Sequence, residues 1–277
     1  MRVVETIAEM KKVRRTLKRP VGFVPTMGFL HEGHIAGVLA AKKENESVVV
    51  SIFVNPTQFG PREDLASYPR DLPRDLAMLE KAGTDIVFVP ESGEIYPPGY
   101  DTWVDVDKLT KRLEGAARPI HFRGVTTVVA KLFNIVEADN NYFGQKDAQQ
   151  VLVIQKMVAD LNMNTRVVVF PTVREPDGLA MSSRNTYLTP EQRKAAPVLY
   201  RSLLLARDMY DKGERDAEKI RRAMTELIRT EPQGQIDYVS IADTQTLEEL
   251  DTIKAKALVS LAVKIGKPRL IDNIVLG

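Results

Sequence analysis

Apolar runs rich in β-branched residues, each followed by a helix-like segment, constrain the fold of this chain more than any other feature. The run at residues 47–54, SVVVSIFV, is almost wholly apolar, as is typical of a parallel strand buried on both faces. Strands that alternate with helices predict an α/β fold around a parallel sheet. We predict the other strands of this sheet at residues 21–25, 85–90, 141–143 and 165–170, with helices at 34–45, 72–82, 126–138 and 147–161.

The pattern changes after about residue 171, where a polar, loop-like stretch runs to residue 185. Beyond it we predict helices at residues 190–212 and 216–229 and strands at 235–242, 258–265 and 268–274. Consecutive strands without helices between them are typical of an antiparallel sheet. The sequence therefore predicts two domains, an α/β domain at residues 1–171 and a smaller α+β domain at residues 172–277.

Composition limits the chemistry that is open to the chain. The net charge is only +2, so no whole-chain field attracts nucleic acid and any anion site must be local. The absence of cysteine excludes disulfides, thiolate nucleophiles and cysteine-based metal sites. No apolar run reaches about 18 residues, and the first residues mix charged with apolar side chains, so we expect neither a transmembrane helix nor a signal peptide. We expect a soluble, cytoplasmic protein without a nucleic-acid or membrane partner.

The segment at residues 25–34, PTMGFLHEGH, carries the first candidate site. It joins a predicted strand to the start of a helix, where free backbone N–H groups and the helix dipole favour anions such as phosphates. His31 and His34 are three residues apart, so their imidazole N–H groups could hold a triphosphate and stabilise charge on its α-phosphate. Two other interpretations stay open: a metal-binding pair, although the helical metal motif spaces its histidines by four, and a turn with a helix-capping histidine.

This segment resembles the HxGH signature of the adenylate-forming nucleotidyltransferases, and in particular that of the pantothenate synthetase (pantoate–β-alanine ligase) family. The resemblance implies a Rossmann-like nucleotide- and pantoate-binding domain followed by a smaller lid domain. It implies that the two histidines contact the ATP phosphates, that Pro25 and Met27 line the ATP site, and that Met27 also lines the pantoate site. The chain departs from the family's pattern at Phe29, where a small residue is usual, and at residues 35–37, where a Leu often opens the run.

Neutral amides follow the apolar run at residues 47–54, in the segment NPTQF. Residues 54–70 resemble the family closely, which implies that Asn55 and Gln58 line the pantoate pocket, where amides suit a carboxylate and two hydroxyls. A polar exit from a strand is the alternative explanation. At the start of the next helix, the negative charge of Asp71 interacts favourably with the positive end of the helix dipole. Asp75 is our candidate ligand for Mg²⁺ bound to the nucleotide.

Two further segments place cations or amides in predicted loops. RPIHFRGV resembles the family's RPxHFxGV segment, and its Arg118 and His121 are secondary candidates in a flexible cationic clamp; a solvated basic loop is the alternative. At GQKDAQQ the family has Gly-x-Lys-Asp-x-Gln-Gln, usually with an aromatic residue where this chain has Ala148. The resemblance places four of these residues at substrates: Gly144, Lys146 and Asp147 at the nucleotide, and Gln150 at pantoate.

The segment DGLAMSSRN carries the last candidates. Ser182 and Ser183 can hydrogen-bond phosphate oxygens, and Arg184 can neutralise the charge on departing pyrophosphate. A capped loop before the helix near residue 190 explains the segment as well, and both interpretations can hold. The close resemblance implies that the residues from Met181 through the arginine contact the nucleotide, and that the backbone of Val173 faces the adenine.

These segments lie in order within residues 20–190, and the resemblance implies a two-step reaction. Pantoate attacks the α-phosphate of Mg²⁺-bound ATP to give pantoyl adenylate and pyrophosphate, and β-alanine then displaces AMP to give pantothenate. His31, His34, Lys146 and Arg184 are the expected catalytic residues, without an organic cofactor, and family members are usually homodimers. Two other classes stay open, a nucleotidyltransferase with another substrate and a non-catalytic nucleotide- or metal-binding module. A requirement for pantoate in ATP turnover separates them.

Overall fold

The computed structural model describes residues 1–61 and 63–277. The chain divides into two compact units. The first unit comprises Met1–Gln145 and Gln149–Pro171, and the second comprises Thr172–Gly277 together with the three residues Lys146–Ala148. No helix in these ranges is long and apolar enough to cross a membrane.

A six-stranded parallel sheet forms the centre of the first unit, in the order β1-β4-β3-β2-β5-β6. Every residue of β3 is buried, because helices cover the sheet on both faces and its side chains are almost all apolar. The strands are β1 Arg2–Val4, β2 Val21–Thr26, β3 Ser47–Ile52, β4 Ile86–Phe88, β5 Asn140–Gly144 and β6 Arg166–Phe170.

The helices of the first unit pack their apolar stripes on this sheet. Val38 and Ala41 of the second helix lie in one buried cluster with Val24, Val48 and Leu79. The helices are α1 Ile7–Val13, α2 Glu32–Glu44, α3 Leu72–Lys81, α4 Ser92–Ile95, α5 Glu114–Ala117, α6 His121–Val136 and α7 Ala148–Asp160.

The order of the strands reverses between β2 and β5. From β2 the chain adds strands outward on one side, to β3 and then β4, whereas β5 and β6 add on the other side. In sheets of this kind, ligands bind in the crevice outside the carboxyl ends of the strands at such a reversal. The segments that leave β2, β3 and β5 are those in which the sequence places candidate residues.

The second unit is built on a three-stranded antiparallel sheet in the order β7-β8-β9. Two longer helices pack on it through residues such as Leu203 and Ile220, which are fully buried beside Val259 and Leu261 of the central strand. The strands are β7 Gly234–Asp243, β8 Ala257–Ile265 and β9 Arg269–Leu276, and the helices are α8 Pro190–Ala195, α9 Val198–Asp211 and α10 Ala217–Arg229.

The two sheets confirm the predicted fold class, but some individual elements were predicted wrongly. One helix was expected over residues 190–212, whereas the structure has two, because Pro197 cannot continue the hydrogen-bonding of α8. Helix α6 begins at His121 rather than at residue 126. The strand β1 and helix α1 were not predicted, since three strand residues, two of them exposed, leave no periodic signal.

Candidate active site

A tight turn after β2 holds two successive residues in the left-handed region. Gly28 has φ 81° and Phe29 has φ 49°; glycine adopts this conformation freely, whereas for phenylalanine it costs about 1–3 kcal/mol. Asp75 fixes the turn, because its Oδ2 accepts the N–H of Phe29 and its Oδ1 accepts the N–H of Leu30, both at 2.7 Å. These two hydrogen bonds therefore fix the backbone conformation between β2 and α2.

His31 and His34 cap helix α2 through their Nδ1 atoms. His31 Nδ1 accepts the N–H of Gly33 at 3.2 Å, and His34 Nδ1 accepts the N–H of His31 at 3.3 Å. A nitrogen that accepts a hydrogen bond carries no proton, so both rings have their proton on Nε2. The ring centroids are 4.0 Å apart. The capping and phosphate interpretations are thus compatible, since Nδ1 holds the helix start and Nε2–H is the donor of each ring.

The ends of β2 and β3 are neighbours, as predicted. The Nε2 of Gln58 donates to the sulfur of Met27 at 3.2 Å, and the last residues of both strands are paired in register. Pro25 and Met27 are half-buried at this edge of the sheet. The sequence therefore places the histidine turn and the amide segment at one site within the first unit.

Asn55 uses its whole hydrogen-bonding capacity inside the protein. Its Nδ2 donates to Gln58 Oε1 at 3.0 Å and to the carbonyl of Gly124 at 3.1 Å. Its Oδ1 accepts from the hydroxyls of Thr57 and Tyr96, each at 2.9 Å. Two N–H groups and two lone pairs are all that an amide side chain offers in this geometry, and the residue is 1% exposed. Asn55 therefore orients Gln58 in this structure, and its predicted contact with pantoate remains a prediction.

The main chain of Gln58 is held from the start of α6. His121 Nδ1 donates to the carbonyl of Gln58 at 3.0 Å, and a Cβ on Gly124 would lie 2.5 Å from the carbonyl oxygen of Thr57. Burial, and secondarily the charge of Arg118, lower the pKa of His121 to about 4, so the ring is neutral. Only a glycine lets the helix approach the amide segment this closely.

Residues 121–123 of the basic segment are helical and not the predicted loop, and the assignment of Arg118 and His121 as secondary site residues remains a prediction. His121 is the first residue of α6 and only 8% exposed. Arg118 donates to both carboxylate oxygens of Glu63, at 2.8 and 2.6 Å. Burial acts to raise the pKa of Glu63, but its hydrogen bonds and ion pair with Arg118 outweigh burial and lower that pKa. The segment is a fixed support for Gln58.

Asp75 has a positioning role in this structure, and its predicted contact with magnesium remains a prediction. The side chain is 1% exposed, and each carboxylate oxygen already accepts a backbone N–H of the turn after β2. Burial raises the pKa of Asp75, and the two backbone N–H groups oppose that rise. Asp71 caps α3 by accepting the N–H of Arg74, as expected from its position. Among residues 1–61 and 63–277, no three His, Asp or Glu side chains group as metal ligands.

The two glutamines after β5 differ in their surroundings. Gln149 is 5% exposed, and its Nε2 donates to the carbonyls of Leu109 and Arg112 at 2.8 and 2.7 Å, while its Oε1 accepts the N–H of Glu114. Gln150 is half-buried. Gln149 is therefore structural, and Gln150 stays the predicted substrate residue of the pair. Gly144, the last residue of β5, lies at the carboxyl edge of the sheet.

The second unit contains Lys146 and Asp147, in a short 3-10 turn over Gln145–Asp147. Lys146 Nζ lies 3.2 Å from Asp147 Oδ1. The carbonyl of Lys146 accepts a hydrogen bond at 2.8 Å from Asn273 Nδ2, on the last strand of the chain. Asn273 was not a candidate in the sequence, although a polar pair Asp272-Asn273 inside an apolar strand was a signal that could have indicated it.

Residues 173–181 form the expected loop, which folds back on itself as a short hairpin. The N–H of Met181 donates to the carbonyl of Val173 at 3.0 Å, and Arg174 pairs with Ala180 as a β-bridge. Ser182 caps a 3-10 helix over Ser183–Tyr187 by accepting the N–H of Arg184. Ser183 is buried, whereas Met181, Ser182 and Arg184 are half-buried. Thr189 accepts the N–H of Gln192 and caps α8, which confirms the predicted capped loop before residue 190. The nucleotide contacts of residues 181–184 remain predictions.

Comparison with known proteins identifies relatives of the whole chain. The family model described as pantoate-beta-alanine ligase matches residues 2–275. The chain is 60% identical over 277 residues to the pantothenate synthetase of Herpetosiphon aurantiacus, covering 100% of both chains. It is 57% identical over 276 residues to that of Roseiflexus castenholzii, covering 100% of this chain and 99% of the relative.

Two solved structures extend the comparison to three dimensions. The pantothenate synthetase of Thermus thermophilus is 51% identical, with a TM-score of 0.95 and 99% of both chains covered. The pantoate-beta-alanine ligase of Francisella tularensis, complexed with beta-gamma ATP and beta-alanine, is 35% identical, with a TM-score of 0.82 over 99% of this chain and 97% of that one. With the family model matching nearly every residue, the chain belongs to the pantoate–β-alanine ligase (pantothenate synthetase) family.

Proposed function

We propose that this chain catalyses the ATP-dependent condensation of pantoate with β-alanine, through a pantoyl-adenylate intermediate. The observation that carries the proposal is the hydrogen-bonded amide Gln58 at the end of β3, joined through Met27 to the histidine turn at the end of β2. A neutral amide suits a hydroxy acid, and two imidazole N–H donors suit a triphosphate. Family membership supports the same pair of substrates.

The first step joins pantoate to the nucleotide. A carboxylate oxygen of pantoate attacks the α-phosphorus, and the bond to the β-phosphate oxygen breaks with its electron pair on pyrophosphate. We assign the Nε2–H groups of His31 and His34 to the charge that develops on the triphosphate, and Gln58 and Gln150 to pantoate. Lys146 and Arg184 supply positive charge to the phosphates. Fixed donors of this kind stabilise a transition state without reorganising during the reaction.

The second step transfers the pantoyl group. The amine nitrogen of β-alanine attacks the acyl carbon, the bond to the AMP oxygen breaks, and AMP leaves with that electron pair while the nitrogen loses a proton. A neutral amine is itself a good nucleophile, so positioning is the main requirement. No residue needs to act as a general base in this scheme. The motifs alone support the remaining nucleotide contacts that we propose, which are Pro25, Gly144, Asp147, Val173 and residues 181–184.

Magnesium enters this proposal with ATP. Mg²⁺ is commonly held by substrate phosphates and water with one or two carboxylates, rather than by a cage of protein ligands. We therefore propose that the metal arrives with the nucleotide and is held by its phosphates. When bound, it would neutralise phosphate charge. A homodimer and a cytoplasmic location are further proposals, which rest on the resemblance and on the lack of cysteine.

The test of the proposed function is AMP release from ATP, Mg²⁺, pantoate and β-alanine, with each organic substrate omitted in turn. We expect sustained AMP release only when both are present. AMP release that does not depend on pantoate would favour a different nucleotidyltransferase. ATP binding without any turnover would favour a non-catalytic module.

A pair of variants separates the two roles of His34. In His34→Gln the side chain can still accept the capping hydrogen bond, because glutamine is a usual residue at the third helical position of a capping box. Both His34→Gln and His34→Ala lose the imidazole Nε2–H, and we expect both to slow adenylate formation by about 10²–10³-fold. Only His34→Ala is expected to lower the thermal midpoint. Adenylation at the parent rate in His34→Gln would refute the phosphate role.

A further inference from the structure

The last strand of the chain buries two polar residues in succession. Asp272 is 2% exposed and Asn273 is 4% exposed, between apolar neighbours on β9. Successive residues of a strand point to opposite faces of the sheet, so these two side chains serve different partners. Burying polar groups is unfavourable unless they are hydrogen-bonded. Both side chains do have partners, and those partners belong to the segments that carry the proposed nucleotide contacts of the second unit.

Asn273 holds the main chain of Lys146. Its Nδ2 donates to the carbonyl oxygen of Lys146 at 2.8 Å, across 127 positions of sequence. That carbonyl lies in the middle of the 3-10 turn Gln145–Asp147, so the hydrogen bond fixes the peptide plane that follows Lys146. The direction in which the lysine side chain leaves the backbone depends on this plane. A side chain that has to meet phosphates as a point charge is sensitive to such a shift.

Asp272 connects the strand to the second segment, the hairpin at residues 173–181. Its carboxylate binds Arg174 in a bidentate pair, at 2.6 and 3.0 Å, and Arg174 also donates to the carbonyl of Gly178 at 3.0 Å within the 173–181 hairpin. The guanidinium stacks 3.9 Å from the ring centroid of Tyr200. Asp272 Oδ1 accepts the N–H of Asn273 at 2.8 Å. The hairpin, the strand and the turn of Lys146 thus form one hydrogen-bonded chain.

We propose that Asn273 is a positioning residue for adenylate formation, which acts by holding Lys146 and is itself fixed by the Asp272–Arg174 pair. The inference rests on the proposed role of Lys146 at the phosphates. It assigns a functional part to the C-terminal strand, which lies outside the motif segments within residues 20–190. If Asn273 only stabilised the second unit, its substitution would favour unfolding. Its effect on the adenylation rate would then be the same with Lys146 and without it.

A double-mutant cycle on the full-length chain tests this dependence. Single-turnover formation of pantoyl adenylate, from ATP, Mg²⁺ and pantoate without β-alanine, is measured for the parent, Asn273→Ala, Lys146→Ala and the double variant. We expect Asn273→Ala to slow adenylation on the order of 10- to 100-fold, the effect of a misplaced group. In the Lys146→Ala background the same substitution is expected to change the rate by less than about twofold.

The remaining variants serve as controls. Ile228→Val, in the fully buried core of the second unit, lowers the thermal midpoint without touching this chain of hydrogen bonds, and its adenylation rate is expected to match the parent. If Asn273→Ala does not fold, Asn273→Ser removes the amide donor with a smaller loss of volume and takes its place in the cycle.

Each result has one meaning. Parent-like adenylation in Lys146→Ala would refute the proposed role of Lys146 and the inference with it. A slow Lys146→Ala combined with a parent-like Asn273→Ala would refute the inference alone. Slowing by Asn273→Ala that is equally large in both backgrounds would show that Asn273 acts on something other than Lys146. Slowing by Asn273→Ala that vanishes in the Lys146→Ala background is the result we expect.

Discussion

Acid should destabilise the first unit through His121. The ring is 8% exposed and donates from Nδ1 to the carbonyl of Gln58 at 3.0 Å. Burial first, and Arg118 second, lower its pKa from an ordinary 6.5 to about 4. Between these two pH values the unfolded chain binds a proton that the folded chain does not, so stability is fully present above pH 6.5 and is lost as pH falls towards 4. At about 1.4 kcal/mol per tenfold change in proton affinity, the loss is about 3 kcal/mol.

His121→Asn isolates this contribution. The asparagine amide can donate to the Gln58 carbonyl in place of Nδ1–H but does not titrate. Urea unfolding can be followed by the fluorescence of Trp103, the only tryptophan in the sequence, which packs beneath Arg123 in the first unit. Between pH 7 and pH 4, we expect the parent to lose about 3 kcal/mol more than the variant. Parallel curves of unfolding free energy against pH would show that His121 is not the neutral, buried group described above.

Three further substitutions test the supports of the site. Asn55→Ala removes all four hydrogen bonds of that amide; we expect a loss of about 3–5 kcal/mol in urea unfolding and a higher pantoate KM, and an unchanged KM would contradict a role in orienting Gln58. Gly124→Ala puts a Cβ 2.5 Å from the Thr57 carbonyl oxygen; we expect the pantoate KM to rise at least about tenfold in steady-state assays with little change in the ATP KM, whereas equal effects on both would indicate general damage. Asp75→Asn places an amide N–H group opposite a backbone N–H of the turn after β2. We expect the free energy of unfolding to fall by about 2–3 kcal/mol and adenylation to slow; parent-like stability would show that Asp75 does not hold the turn.

Hydrophobic pattern was sufficient to predict five of the six strands of the central sheet. A strand covered on both faces has to be apolar throughout, and SVVVSIFV meets this condition without ambiguity. The same pattern predicted that the ends of β2 and β3 are neighbours, since the carboxyl ends of parallel strands share one edge, and the structure confirms it. Short elements at the periphery were missed because their residues are half exposed and their conformation is decided by neighbours far away in sequence.

The division of roles within the site could not be read from the sequence, because it depends on contacts over long sequence separations. Asn55 and Gln58 look equivalent as two amides in one loop. What distinguishes them is Tyr96 and Gly124, 41 and 69 positions from Asn55, which use its remaining donor and acceptor. The His121 ring similarly looks like a solvent-facing cation until its partner, 63 positions away, is known.

A family motif identifies a segment but does not give the role of each residue in that segment. A side chain that binds substrate needs a hydrogen-bond donor or acceptor that is available to the substrate. The polar side chains around it therefore complete their own hydrogen bonds within the protein, and in doing so they fix its position. Gln149 meets three backbone groups of residues 109–114, and this fixes the start of α7, from which the half-buried Gln150 projects. Asn55 does the same for Gln58, and Asp75 for the histidine turn. In the first unit the histidine turn, Gln58 and Gln150 thus each stand beside a polar neighbour whose hydrogen bonds lie within the protein. We expect substitutions of those neighbours to change substrate KM or adenylation rate as clearly as substitutions of the contacts themselves.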